Sequence, residues 1–298
     1  MALTASPIGD FGFGVRLGGV SLPALDDPAV RRQLRDSLAE RGLVILADIE
    51  PSDALQLRIG EVFGPLRDYA AGSDERRAVT RLVTSPDDCT IVEIDGTRLA
   101  GWMPWHFDQP YNARPSIARV LRCGQGVTAG GLTGFLDGVE LYRRMDPALR
   151  ARIEHCRVGY ALNMGYADLR FGVPAGFRVV READGVEVPI PGEPVRTATH
   201  PAVRIALSGD KVLHVSPWMA TGIAGCADGG DGLLEAVAQE VGRLSEEIAY
   251  FHRWRPTDIL VWDNLRMLHS ATGYQPEETR IVFRSTVLGA EQPAAVAS

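Results

Sequence analysis

Apolar side chains at Leu234, Val237, Val241, Leu244, Ile248 and Phe251 recur at spacings of three and four. That rhythm predicts an amphipathic helix packed on a sheet, with Asp231 as its N-cap. An earlier helix is bracketed by its own punctuation: Asp27 and Pro28 suit a first turn, and Gly42 suits a C-cap. The next run, Leu43-Val44-Ile45-Leu46, is short, wholly apolar and bounded, as a buried strand would be. Pro51-Ser52-Asp53 opens a second helix that runs to Phe63-Gly64, and Asp146-Pro147 opens a short one. Positions 77–95 turn to short β-rich runs, and further strands are predicted at 117–122, 133–136, 158–162, 259–262 and 281–287. Residues 163–200, rich in Gly, Pro and Arg, keep no period and read as an irregular, lid-like insertion. No linker or repeat divides the chain. Many short strands with a few helices predict a single α+β domain over 1–298: a jelly-roll (double-stranded β-helix, cupin-like) core with helices packed outside.

Composition narrows the partners. The formal net charge of -7 argues against a protein that tracks nucleic acid, which needs a basic face. No apolar run reaches the roughly 18 residues of a membrane helix, so no membrane partner is expected. The N-terminal residues lack the basic-then-apolar order of a secretory signal. Cys89, Cys123, Cys156 and Cys226 lie far apart and form no CxxC, which predicts reduced thiols in a cytoplasmic protein. Lys211 is the one lysine among 31 basic residues, an arginine skew that composition alone leaves open between codon bias and carboxylate binding.

Two stretches carry chemistry. In Trp105-His106-Phe107-Asp108, a strand would put the imidazole and the carboxylate on one face, the beginning of a facial metal site. Two histidines and one carboxylate with open positions suit non-haem Fe(II) and O2. The second stretch, Trp262-Asp263-Asn264 to His269, is followed by Arg280 and Arg284, which alternate onto one strand face with Val282. Two arginines inside an apolar strand need a carboxylate partner, and a dicarboxylate co-substrate is one such partner.

In this order the motifs resemble the taurine/2,4-D dioxygenase-like (TauD/TfdA) family of Fe(II)- and 2-oxoglutarate-dependent oxygenases. They read His106-Phe107-Asp108, Gly130-Gly131-Leu132-Thr133, Trp262-Asp263-Asn264 to His269, and Arg280 with Arg284, within a likeness spanning about 12–289. The resemblance implies Fe(II) held by His106, Asp108 and His269, with 2-oxoglutarate as co-substrate and O2 as oxidant. Thr133 would hydrogen-bond the 2-oxoglutarate, Arg284 would take its distal carboxylate, and Arg280 would sit near its keto-acid end. Leu265 departs from the family's arginine, which here stands at Arg266. Asp108 argues against halogenation, since related halogenases leave that place for a halide.

The implied reaction is oxidation, foremost hydroxylation, of a C–H bond in a small organic molecule, with release of succinate and CO2. Desaturation or oxidative cleavage is the alternative on the same scaffold, and a non-catalytic metabolite-binding jelly-roll is the other class. By position, Tyr69, Trp102, Met103, Trp218 and Met219 are the substrate-facing candidates, although large side chains equally fill core. They predict a substrate less polar or bulkier than taurine. Arg170 and Arg178 are candidate charged anchors or plain surface arginines. His155, His200, His214 and His252 are expected to be structural, and relatives are often homo-oligomers.

Overall fold

In the computed structural model, which describes residues 3–68, 78–184, 186–189, 193–206, 208–225 and 230–289, local signals and elements agree closely in the first third. Asp27 accepts the Ala29 N–H (2.8 Å) to cap the helix Pro28–Arg41, and Gly42, at φ 71°, closes it in the left-handed conformation that glycine enters without a Cβ penalty. Ser52 caps Asp53–Phe63 in the same way.

The strand Leu43–Leu46 is buried on both faces. Leu43 and Ile45 point inward with Leu121, Leu260, Trp262 and Val282 against Phe135 and Met267, and this core joins the two main sheets. Val44 and Leu46 point outward onto Val30, Leu34, Ile59 and Val62 of the first two helices. That double burial explains why the run shows no polar alternation.

The larger sheet has seven strands in the order Thr4–Pro7, Val15–Gly18, Leu43–Leu46, Ile259–Asp263, Ala118–Gln125, Arg280–Val287 and Thr80–Thr84. Among the described residues, only Val15–Gly18 and Leu43–Leu46 pair in parallel within it. Facing it are Arg178–Arg181, Ile91–Ile94, Thr97–His106, Met267–Tyr274, Thr133–Asp137 and Tyr250–His252. Helices Gly138–Arg144, Pro147–Ile153 and Asp231–Ile248 share a further core with Val158, Tyr160 and Leu213. No helix among the described residues is long and apolar enough to cross a membrane.

Four expectations are corrected. The late helix ends at Ile248, where Ala249 turns extended (ψ 134°); Phe251 belongs to the next strand, opposite Gly134. Gly230, not Asp231, is its N-cap, and the Asp231 carboxylate instead pairs with Arg170 (2.6 Å). The 163–200 stretch is not wholly irregular: Arg178–Arg181 extends the second sheet and Thr197–Pro201 pairs with Arg157–Ala161, because edge pairing needs no sequence period. Cys89 and Cys123 are free, but Cys156 is disulfide-bonded, since separation along the chain says nothing of separation in space.

Candidate functional site

His106 is the last residue of its strand, and its register partner on the neighbouring strand is His269. Antiparallel pairing thus joins two residues distant in sequence, with ring centroids 4.1 Å apart. Asp108 lies beyond the strand end, not on it, so the face-sharing argument from alternation does not apply. It is aimed instead by its backbone. Buried Asn264 accepts the Asp108 N–H (2.8 Å) and donates to the carbonyls of Asp108 (3.0 Å) and Ser116 (2.9 Å). Gln109, at φ 59°, then turns the chain away. One ligand atom from each of His106, Asp108 and His269 lies within 4.8 Å of the others, a grouping that could hold a metal ion.

The protonation states suit that task. His106 Nδ1 is 2.7 Å from the Pro104 carbonyl, which can only accept, so Nδ1 carries the proton and the Nε2 lone pair is left for a ligand. Burial, reinforced by His106, pushes His269 down to about 3, and burial lowers His106 as well. Burial alone would raise the Asp108 carboxyl, but Arg119, both histidines and Arg284 hold it well below the usual carboxylate range. Two neutral imidazoles and an ionised carboxylate are the donor set a divalent cation requires.

A cavity of about 240 Å³ adjoins the triad. Arg280, Arg284 and Thr133 line it, and both arginines are half-buried with no carboxylate in ion-pair contact among the described residues. Arg284 lies two residues from Thr286, the register partner of the Arg119 that contacts Asp108, and so stands at the triad end. Arg280 stands four residues earlier on the same strand, further from the triad, where burial lowers its pKa against the opposing pull of Cys123 and Tyr274. The Thr133 hydroxyl oxygen accepts from Trp254 Nε1–H (2.9 Å), which leaves its hydrogen to donate elsewhere.

Of the substrate-facing candidates, Met103, Trp218 and Met219 line the cavity, and Trp218 packs edge-on against His106 at 5.0 Å. Trp102 does not; it packs on Tyr166 (5.9 Å) and Phe177 (5.3 Å). A register shift beside His269 inverts the alternation, so Met103 rather than Trp102 shares the face of His106. Tyr69 lies outside the described residues. Arg178 forks onto Glu93 (2.8 and 2.7 Å), and Arg170, bound to Asp231, is likewise at the surface; neither lines the cavity. His200 and His214 bond carbonyls of Pro110 and Asn264, and His252 faces buried Asp258 at 3.3 Å, all structural roles.

Gln109, Tyr111, Met164 and Glu187 also line the cavity and carried no periodic signal. Arg119 was missed for a different reason. It is a buried arginine in an apolar strand, the very argument applied to Arg280 and Arg284, and its Nε lies 2.6 Å from Asp108 Oδ2.

The family model described as taurine catabolism dioxygenase TauD, TfdA family matches residues 4–286. The chain is 27% identical to the (S)-phenoxypropionate/alpha-ketoglutarate-dioxygenase of Sphingobium herbicidovorans, covering 94% of this chain and 93% of that one. It is 26% identical to pentalenolactone F synthase of Streptomyces arenae, covering 85% and 83%. Among solved structures, AAD-2 in complex with Mn(II) and N-oxalylglycine shares the fold at a TM-score of 0.73 and 20% identity, covering 98% and 99%. A taurine dioxygenase from Burkholderia xenovorans does so at 0.71 and 21%, covering 97% and 91%.

Proposed function

Because the chain belongs to the taurine catabolism dioxygenase TauD/TfdA family, whose enzymes depend on Fe(II), 2-oxoglutarate (α-ketoglutarate) and O2, and is such a dioxygenase, we propose that His106, Asp108 and His269 hold its iron and that it hydroxylates a C–H bond of a small, largely apolar substrate. The observation that carries this reading is the triad set beside two arginines without carboxylate partners in one cavity. When bound, the iron supplies the redox chemistry that couples O2 to loss of CO2 from the co-substrate and oxidation of the substrate.

The side chains bind and orient. The two imidazoles offer neutral nitrogens, and Asp108 offers charge that offsets part of the cation's. For the co-substrate we reverse the arginine order that the resemblance implies. Arg280, four residues along the strand from Arg284 and further from the triad, takes the distal carboxylate together with the Thr133 hydroxyl, while Arg284 serves the keto-acid end near Asp108. Fixed guanidinium forks suit carboxylates, and the Trp254 N–H turns the Thr133 hydrogen toward its acceptor. Met103, Met164, Met219, Trp218 and Tyr111 form a wall that excludes water and fits an apolar or aromatic skeleton, as the phenoxypropionate relative's name also suggests. The two facing sheets support reading the core as a double-stranded β-helix within one domain.

The test is an anaerobic titration of the Fe(II)–2-oxoglutarate complex with aryl and alicyclic acids, amides and amines. A compound that shifts the visible charge-transfer band and then triggers succinate release is a substrate, and its product separates hydroxylation from desaturation or cleavage. Absence of the band in the wild-type protein, or succinate formation by His269→Ala, overturns the assignment.

A further inference from the structure

Arg119 has no part in the roles above. It stands on Ala118–Gln125, 1% exposed, in a run that also buries Ala118, Val120 and Leu121. Its Nε is 2.6 Å from Asp108 Oδ2, and its Nη1 donates to the hydroxyl of Thr286, its register partner on Arg280–Val287. The Nε–H is not aligned with the carboxylate as a hydrogen bond, so the attraction is of charge for charge. A guanidinium buried in an apolar strand is costly unless compensated, and Asp108 is the described carboxylate in ion-pair contact with it. Asp108 therefore has two separate holds. Asn264 fixes its backbone, which leaves the side-chain torsions free; the ion pair with Arg119 removes that freedom.

Resting on the reading of His106, Asp108 and His269 as the metal ligands, we propose that Arg119 is a positioning residue of the metal centre, holding the Asp108 carboxylate at the rotamer in which it meets the cation. It does so from the cavity lining, through the Oδ2 oxygen that also faces His269 Nε2 at 3.7 Å, without being a ligand itself. Partners of this kind fix ligand orientation, and their loss weakens metal binding by about 10–100-fold. Thr286, which anchors Arg119, lies two residues from Arg284, so one face of one strand supports both the metal ligand and the co-substrate arginine.

The test uses Mn(II) alone, added to the metal-free protein, with the free-ion electron paramagnetic resonance signal as the measure of binding. Arg119→Met is expected to weaken Mn(II) binding by about 10–100-fold, and Arg119→Lys, which keeps the charge, to recover most of it. Near-ultraviolet circular dichroism checks that each variant is folded; should Arg119→Met fail to fold, Arg119→Lys against Arg119→Gln carries the same comparison. Binding by the charge-free variant within twofold of wild type overturns the proposal. So does tighter binding, which would make the guanidinium a competitor of the cation, or a lysine variant no better than the charge-free one. Wild-type protein that binds no Mn(II) sinks the ligand assignment and this inference together, whereas normal binding by both wild type and Arg119→Met sinks this inference alone.

Discussion

Replacing Asn264 with alanine tests how the Asp108 segment is held. Asn264 is completely buried, and its amide joins the Asp108 N–H (2.8 Å), the Asp108 carbonyl (3.0 Å) and the Ser116 carbonyl (2.9 Å). Each bond contributes about 1 kcal/mol net, and a buried group left unpaired costs about 1–3 kcal/mol, so truncation should cost about 3 kcal/mol or somewhat more. For a chain of this size that lowers the melting temperature by about 5–10 °C. The melt should be read on metal-free protein, so that lost metal binding does not inflate the result. Asn264→Asp sharpens the logic. It keeps an acceptor for the Asp108 N–H but sets a carboxylate oxygen against two carbonyls, and it should melt no higher than the alanine variant. An alanine variant melting within about 2 °C of wild type, or an aspartate variant that matches wild type, would refute the clasp.

Two further predictions follow from buried charge. Arg266 pairs bidentately with Asp137 (2.8 and 2.7 Å) and also donates to the carbonyls of Ala39 and Glu40 at the end of the first helix. Arg266→Met strands a buried carboxylate and should cost about 3–5 kcal/mol in urea unfolding, with Asp137→Asn recovering part of it; a loss below about 1 kcal/mol would contradict the pairing. Burial pushes the Asp263 carboxyl up to about 6, against the pull of the Leu265 N–H and of Arg266 and Arg204. A carboxyl with a raised folded value contributes stability below its unfolded value near 3.8 and loses that contribution as pH rises through about 6. Asp263→Asn should therefore raise the melting temperature relative to wild type at pH 8, with the gain shrinking at pH 5; an equal effect at both pH values would count against burial as the cause.

The elements legible in the sequence are those whose signals are local. Asp27, Ser52 and Asp146 each bond a backbone N–H within three residues, so their helix starts follow from chain chemistry alone. The same locality misled at Asp231 and Phe251, where a permissible cap and a continuing rhythm gave way to the pairing of Asp231 with Arg170 and of Tyr250–His252 with Thr133–Asp137. His106, Asp108 and His269 came forward as a set through the resemblance carried by the order of their motifs, because a His-x-Asp pair taken alone is a weak signal. Arg119 offered the same signal as Arg280 and Arg284, a cation in an apolar strand, but its partner lies beyond the end of a strand in the facing sheet.

The sequence by itself determined which residues could bind a cation and a dicarboxylate, because that depends on the donor atoms each side chain carries. Tertiary structure decided which of them meet and at what aim. Strand register made His106 and His269 neighbours, and a one-residue shift beside them exchanged Trp102 for Met103 on the cavity wall. Asn264, from the turn between two strands, and Arg119, from the strand Ala118–Gln125, took hold of Asp108 from two separate parts of the chain. The physical reason is that side-chain facing in a sheet alternates with period two, so a single slip in pairing inverts it. Pairing is settled by long-range packing, which no local pattern of hydrophobic and polar residues records.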